Sequence, residues 1–242
     1  MNKRLNTILL CIITVGYINA QHKETSYVIS YETVNNIEKD LMQIPDEKMR
    51  EQYRKMLAAP QFYTLTISGN EASYQKEKKE SVKDDDGITT SSDVQIIVIG
   101  DDNPVTHTYL SEKNYIQSMN LLGKQFLISD NLPERDWQLV SETKKIGNLN
   151  CFKATTTNED GLPVEAWYAL ELPFPSGPET YGGLPGVIVE LKTPKKYYIA
   201  TSFRQVPFEK LTVPSKGTKV TAEKFQQILA ETVENAKSGR LE

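Results

Sequence analysis

The segment Gly182-Gly183-Leu184-Pro185-Gly186-Val187-Ile188-Val189-Glu190-Leu191 constrains this chain more than any other. Two glycines, then Leu-Pro-Gly, then a dense apolar run predict a bend that feeds a strand. Pro185 presets φ near roughly −65° for position i+1 of a type II turn, and Gly186 is expected to supply the positive φ at i+2. Val187, Ile188, Val189 and Leu191 scarcely alternate with polar residues, so both faces of this strand should be covered. Clearer strand patterns lie on either side. The segment is therefore expected at the centre of the fold.

Period-2 patterning surrounds it. In 164–172, Val164, Ala166, Tyr168, Leu170 and Leu172 share one face, and Glu165, Trp167, Ala169 and Glu171 share the other. Asn158-Glu159-Asp160-Gly161 is a reverse-turn composition joining this strand to one over Cys151–Thr157. Further strands are expected at 26–32, 63–67, 94–99, 105–110, 126–128, 137–140 and 197–203, with 94–99 and 105–110 forming a hairpin. Two helices complete the pattern. One spans about 46–59, with Met49, Tyr53, Met56 and Leu57 on one stripe, Asp46 at its start and Pro60 beyond its end. The other starts at Thr221 as N-cap and runs to about Lys237, with Phe225, Ile228, Leu229, Thr232 and Val233 facing inward. The predicted fold is mainly β (α+β). It is a single domain over 21–242, one curved, half-barrel-like antiparallel sheet with two amphipathic helices packed on it.

From Trp137 to Leu191 the order of residues resembles a family of exported proteins. Trp137-Gln138-Leu139, Glu142-Thr143-Lys144, Cys151-Phe152-Lys153-Ala154, Ala166-Trp167-Tyr168, Leu172-Pro173 and Ser176-Gly177-Pro178 lead into Tyr181-Gly182-Gly183-Leu184-Pro185-Gly186-Val187-Ile188. This is similar to the GLPGLI family, with Val187 a conservative departure from the motif. The resemblance implies a secreted or periplasmic protein of unsettled function, often associated with outer-membrane TonB-dependent transport. It brings no catalytic residues with it.

The first twenty residues have the character of a signal peptide. Lys3 and Arg4 precede the apolar run from Leu5 to Gly16, and Ile18-Asn19-Ala20 offers a cleavage site before Gln21. The run is shorter than the roughly 20 apolar residues of a membrane span. Export to the periplasm or cell exterior is the expectation, with no integral membrane segment after cleavage. Cys11 and Cys151 are the two cysteines, so the cleaved chain would keep only Cys151 and hold no internal disulfide. Cys151 is expected as a small buried hydrophobe. Net charge is −4, with 28 basic against 32 acidic residues; losing Lys3 and Arg4 makes it −6. That balance argues against nucleic acid, which selects basic surfaces.

Sets of residues for catalysis are scarce. There are two histidines, His22 and His107, and no Gly-x-Ser-x-Gly, Walker or His-Glu-x-x-His motif. Glu165 and Glu171 would lie about 20 Å apart on one strand, at roughly 3.3 Å per residue, too far for a glycosidase pair. Asp84-Asp85-Asp86-Gly87 fails the calcium-loop spacing, because Val82 falls at its first position, so the 76–92 segment reads as a solvated loop. No catalytic residue, metal or cofactor is predicted. The remaining signal is aromatic: Trp167, Tyr168, Phe174, Tyr181 and Tyr197, with Tyr198, cluster in sequence about the turn formed by Gly183, Pro185 and Gly186. Pro173, Pro175 and Pro178 stiffen the loop from Pro173 to Gly183, which is expected to border a groove for an apolar or peptide ligand, or for an envelope protein partner. The expected function is that of a non-enzymatic binding or accessory protein. Its alternatives are a hydrolase without a recognised motif, or a structural interaction protein of the outer membrane.

Overall fold

The computed structural model of the chain describes residues 25–42, 44–77 and 104–237. The expected leader, the 94–99 strand and most of the charged 76–92 segment lie outside them. The described residues form twelve strands: β1 (Thr25–Asn35), β2 (Gln61–Ser68), β3 (Glu71–Lys76), β4 (Val105–Tyr109), β5 (Asn114–Leu121), β6 (Lys124–Asn131), β7 (Gln138–Ile146), β8 (Leu149–Thr157), β9 (Pro163–Ala169), β10 (Val187–Lys192), β11 (Lys196–Pro207) and β12 (Thr218–Val220). Their helices are α1 (Glu38–Leu41), α2 (Glu47–Leu57) and α3 (Ala222–Lys237).

All twelve strands belong to one open sheet in the order β12-β6-β5-β4-β3-β2-β1-β11-β10-β9-β8-β7. Most neighbours are antiparallel and follow the chain through short turns, as expected for alternating segments separated by turn residues. The exception is β12, which pairs parallel to β6, so the sheet is mixed rather than antiparallel throughout. A three-residue strand carries too little pattern to be read from sequence. Strands β3 and β5 also went unforeseen, since Glu71–Lys76 and Asn114–Leu121 mix polar residues through both faces.

Strand β10 is apolar for the reason expected: Val187, Ile188, Val189 and Leu191 are fully buried. It is not the middle strand, however, standing fourth from the β7 edge. It is central to the packing instead. The larger hydrophobic cluster joins it to Tyr31 and Ile29 of β1, Tyr63 and Leu65 of β2, Tyr74 of β3, and Tyr198 of β11. Tyr31 Oη donates to the carbonyl of Ile188 at 2.6 Å in this interior. A smaller cluster lies at the other end, where Phe225 of α3 meets Phe126 of β6 edge-on, 5.4 Å between ring centroids. Thr221 Oγ1 accepts from Lys224 N, which fulfils the expected N-cap, and Asp130 Oδ2 accepts from Ala222 N. Helix α2 is capped by Asp46, whose Oδ1 accepts from Met49 N, and its Met49, Tyr53 and Leu57 are part-buried.

Strand β4 has β3 on one edge and β5 on the other, and the 94–99 segment expected as its hairpin partner lies outside the described residues. Two sequence expectations are corrected. Strand β9 stops at Ala169, and Leu170 and Glu171 are exposed, because the chain leaves the sheet to form a loop over 170–186. Gly186 is not among the positive-φ glycines, whereas Gly183 is, at φ +85°. Gly186 is required for space: a Cβ there would sit 2.1 Å from the carbonyl oxygen of Ala169. The turn is tightened by Val187 N donating to Leu172 O and Ile188 N to Ser176 O, both at 2.9 Å. The close approach of two backbones, not a left-handed φ, fixes glycine at position 186.

Candidate functional site

The 170–186 loop is long for a connection between neighbouring antiparallel strands, and it is ordered by its own backbone bonds. Tyr181 N donates to Pro178 O, Ser176 N to Phe174 O, and Gly183 N to Pro175 O. Trp137 Nε1 reaches across from the β6–β7 connection to Gly182 O at 2.9 Å. Compact loops that satisfy their own polar groups commonly carry binding functions.

Glu179 is the hinge of this loop. Its φ is +55°, a left-handed value that costs a non-glycine residue about 1 kcal/mol or more. What holds it there is a clamp on one carboxylate oxygen: Glu179 Oε1 accepts from Lys196 Nζ at 2.8 Å and from Tyr198 Oη at 2.7 Å. The Tyr198 hydroxyl is buried, so desolvation, followed by the nearby Glu179 charge, raises its pKa well above the ordinary tyrosine value. Lys196 is part-buried. That burial alone would depress its ammonium, but Glu179 outweighs it and its pKa rises. Beneath the clamp, Tyr63 stacks on Tyr74 with centroids 5.1 Å apart, and Tyr74 meets Tyr31 edge-on. The Tyr74 hydroxyl and Thr33 Oγ1 are buried without a well-aligned hydrogen bond, although Thr33 is close enough to favour the ionised tyrosine.

Two cavities adjoin the loop and share Pro133, Glu134 and Arg135. The larger, about 640 Å³, has Glu179, Tyr181, Lys196 and Tyr198 on the loop side and Glu159 and Asp160 of the β8–β9 turn opposite. The smaller, about 310 Å³, is bounded by Lys113, Leu110 and Leu132 on one side and by Pro175, Thr180 and Gly182 on the other. Arg135 stands at their junction. Its guanidinium lies over the Tyr181 ring, 4.1 Å from the centroid, and Nη1 donates to Thr180 O at 2.9 Å and Pro133 O at 3.2 Å. Of the three non-glycine residues with positive φ among the described residues, Lys113 and Glu179 both line this groove. Backbone strain concentrates where geometry is being held for a purpose.

The predicted site residues divide between two places. Tyr181 lines the groove and so does Tyr198. Phe174 packs on Tyr27, 5.0 Å between centroids, and Tyr168 is buried beside Phe152 at 5.9 Å. Trp167 and Tyr197 point to the opposite face of the sheet, away from the loop cluster. There Trp167 Nε1 donates to Glu165 Oε1, and Lys144 Nζ lies 4.2 Å from the centre of the indole. Lys144 pairs with Glu190 at 2.6 Å, and Lys153 with Glu165 and Glu142 at 3.1 and 3.2 Å. Tyr197 has its pKa pushed up to about 12 by burial and by Glu190. Gly183, Pro185 and Gly186 form the turn: Gly183 borders the smaller cavity, and Pro185 is exposed. The five aromatic residues therefore do not converge, and the groove is more polar than the sequence suggested.

Arg135, Glu179 and Lys196 were not singled out by sequence reasoning. The available signal for Glu179 was a carboxylate with three prolines before it, Pro173, Pro175 and Pro178, and three glycines after it, Gly182, Gly183 and Gly186, in one loop. His107 lines neither cavity. Its ring is fully buried, with Nε2 3.3 Å from Glu71 Oε2, and burial lowers its pKa against the opposing pull of Glu71. Cys151 is buried, its thiol facing Leu149 O at 3.7 Å, and desolvation raises its pKa. Glu171 accepts from both Asn150 N and Nδ2, while Glu165 belongs to the outer lattice. Among the described residues no helix is long and apolar enough to cross a membrane, and no three His, Cys, Asp or Glu side chains converge as a metal site.

Comparison with known proteins adds a family likeness and a fold. A family described as a protein of unknown function (Porph_ging) matches residues 157–190, spanning β9, the loop and most of β10. No curated protein matches the sequence. Among solved structures, PNGF-II is similar in two crystal forms. In the C2 form the identity is 16% with a TM-score of 0.54, covering 85% of this chain and 32% of that one. In the P21 form the values are 17%, 0.53, 84% and 33%. The chain thus spans about a third of the length of PNGF-II, and at this identity the likeness concerns the fold alone. An uncharacterised conserved protein from Thermus thermophilus aligns at 8% identity and a TM-score of 0.40, covering 82% of this chain and 91% of that one, too low to inform the comparison.

Proposed function

We propose that the chain is an exported, non-enzymatic binding protein that holds a peptide-like ligand in the groove beside the Pro173–Gly183 loop. One observation carries this reading: the groove is built and locked, with Glu179 held in a strained conformation by Lys196 and Tyr198. A loop kept at that cost, beside unsatisfied buried hydroxyls, is more than a connection between β9 and β10. The lining mixes carboxylates, cations and aromatic hydroxyls, which suits the polar backbone and side chains of a peptide better than an apolar ligand. In this reading residues 1–20 are a cleaved leader, the protein works in the periplasm or outside the cell, and the GLPGLI-type motif marks its family. The sheet curves half-barrel-like, with α2 and α3 laying their apolar stripes against it, and an outer-membrane transport protein is a candidate source of the peptide.

The test is native mass spectrometry of the protein expressed with its first twenty residues intact and recovered from a periplasm. The expected result is a mature chain starting at Gln21, with peptide adducts that disappear in Tyr181→Ala. A retained leader would contradict export. Adducts that persist unchanged in the variant, or a chain that takes up no peptide when offered a mixed tetrapeptide pool, would contradict the groove.

A further inference from the structure

The groove is electrically lopsided, and this asymmetry narrows the ligand class while resting on the peptide-groove reading above. Of the charged side chains lining the smaller cavity, Lys113 and Arg135 are basic and only Glu134 is acidic. The larger cavity adds Glu159 and Asp160 of the β8–β9 turn, the exposed Lys195, and the Glu179–Lys196 pair, whose charges offset each other. Away from the shared Glu134 and Arg135, two acidic charges therefore face one basic charge.

Arg135 is the distinctive group. It is part-buried, stacked on Tyr181, and tethered by two carbonyls and a longer contact from Nη2 to Thr180 Oγ1 at 3.5 Å. All these partners are neutral. Among the described residues it makes no ion pair within 4.0 Å. Desolvation lowers its pKa, opposed by Tyr181 and by the more distant Glu159 and Glu179. A cation that has lost water to burial without gaining a contacting anion is left undercompensated, and an incoming anion restores the balance. The hydrogen bonds to Pro133 and Thr180 engage Nη1 and, through the long 3.5 Å contact, Nη2, and none of them uses Nε. The Nε–Nη2 edge is the side of a guanidinium that takes a carboxylate through two parallel hydrogen bonds.

We propose that Arg135, with Lys113 in the same cavity, is the carboxylate anchor of the groove. The ligand is an extended peptide that seats a carboxylate in the smaller cavity and runs past Tyr181, its basic or N-terminal end against Glu159 and Asp160. The carboxylate comes from the chain terminus or from an acidic side chain; the chemistry at Arg135 is the same.

Equilibrium dialysis of the purified protein against three tetrapeptide pools, read by mass spectrometry, tests this. The first pool has free C-termini and no Asp or Glu. The second is C-terminally amidated and contains Asp or Glu. The third is amidated and contains neither. The expected result is at least tenfold greater retention of the first or second pool than of the third, the better of the two naming the carboxylate's source. Arg135→Gln should abolish the preference, and Arg135→Lys should recover only part of it, since an ammonium lacks the fork. Emission from Trp137, bonded to Gly182, reports whether the loop is still in place. Should Arg135→Gln disturb that emission, the exposed Lys113→Gln decides, with a threefold or greater loss of preference supporting the anchor and no loss overturning it. Equal retention of all pools, or a preference that survives Arg135→Gln with native emission, overturns the anchor and leaves the groove reading standing. Retention of no pool defeats both.

Discussion

Tyr197 and Tyr198 are neighbours on β11 and do opposite work. Tyr198 faces the loop, is almost wholly buried, and closes a hydrogen bond on Glu179. Tyr197 faces the other way, into a lattice where Glu190, Lys144, Trp167, Lys153 and Glu165 alternate in sign across β7 to β10. The same contrast separates Tyr168 from Trp167 on β9. On one face the sheet is sealed by a structured loop that shapes a groove; on the other it is covered by its own charged side chains. Burial alone does not distinguish them, since Trp167 is as inaccessible as Tyr168. The partners do.

The largest effect is expected where the loop re-enters the sheet. Gly186→Ala places a Cβ against the carbonyl of Ala169, a backbone atom with nowhere to move, and should cost at least about 3 kcal/mol in denaturant unfolding. A cost under about 1 kcal/mol would mean that the close approach is not real.

The second prediction compares the faces at alkaline pH. Tyr197 of the outer lattice also has a raised pKa, about 12, but three buried tyrosines of the loop-covered face outnumber it. Tyr31, Tyr74 and Tyr198, all on the loop-covered face, have pKa values raised chiefly by burial. Their folded values exceed the unfolded one, so their contribution is complete below about pH 10 and declines as pH rises above it. Each group steepens the fall by about 1.4 kcal/mol per pH unit in that window. Alkaline unfolding followed by tyrosinate absorbance should show these groups ionising with unfolding rather than before it.

Single tyrosines sharpen the contrast. Tyr198→Phe removes a buried hydrogen bond to a carboxylate and should cost about 1.5–2 kcal/mol. Tyr197→Phe, on the outer lattice, should cost about 0.5 kcal/mol or less. Equal costs in thermal unfolding would erase the distinction.

The smallest effect concerns the lattice itself. Burial alone would raise the Glu165 pKa, but hydrogen bonds from Lys153 and Trp167 outweigh it and the value is lowered. Its contribution is therefore present above the ordinary glutamate range and lost as pH falls through the lower, folded value. Glu165→Gln should flatten the acid limb of stability against pH by less than about 1 kcal/mol, the pair being partly exposed.

These contrasts also separate what was legible in the sequence from what was not. Dense β-branched runs announced β10, and the acidic start at Asp46 and the cap at Thr221 located α2 and α3, because those signals are local. Alternation in 164–172 was real, but it could not show that the strand ends at Ala169, where pairing with Val187 and a Leu172–Val187 bond take the chain out of the sheet. Gly186 was correctly marked as obligatory for the wrong reason, since the approach of Ala169 is a tertiary fact. A groove was expected beside the prolines, and the cavities there are lined by Arg135, Glu179 and Lys196, ordinary surface residues until the fold brings them together.

Hydrogen exchange with and without the peptide pool that the protein retains best is the most direct test of the groove. The account predicts that added protection is concentrated at the amides of 179–183 and around Arg135, with β7 to β9 near Trp167 unchanged. Protection centred on the Trp167 lattice, with the loop unaffected, would contradict it.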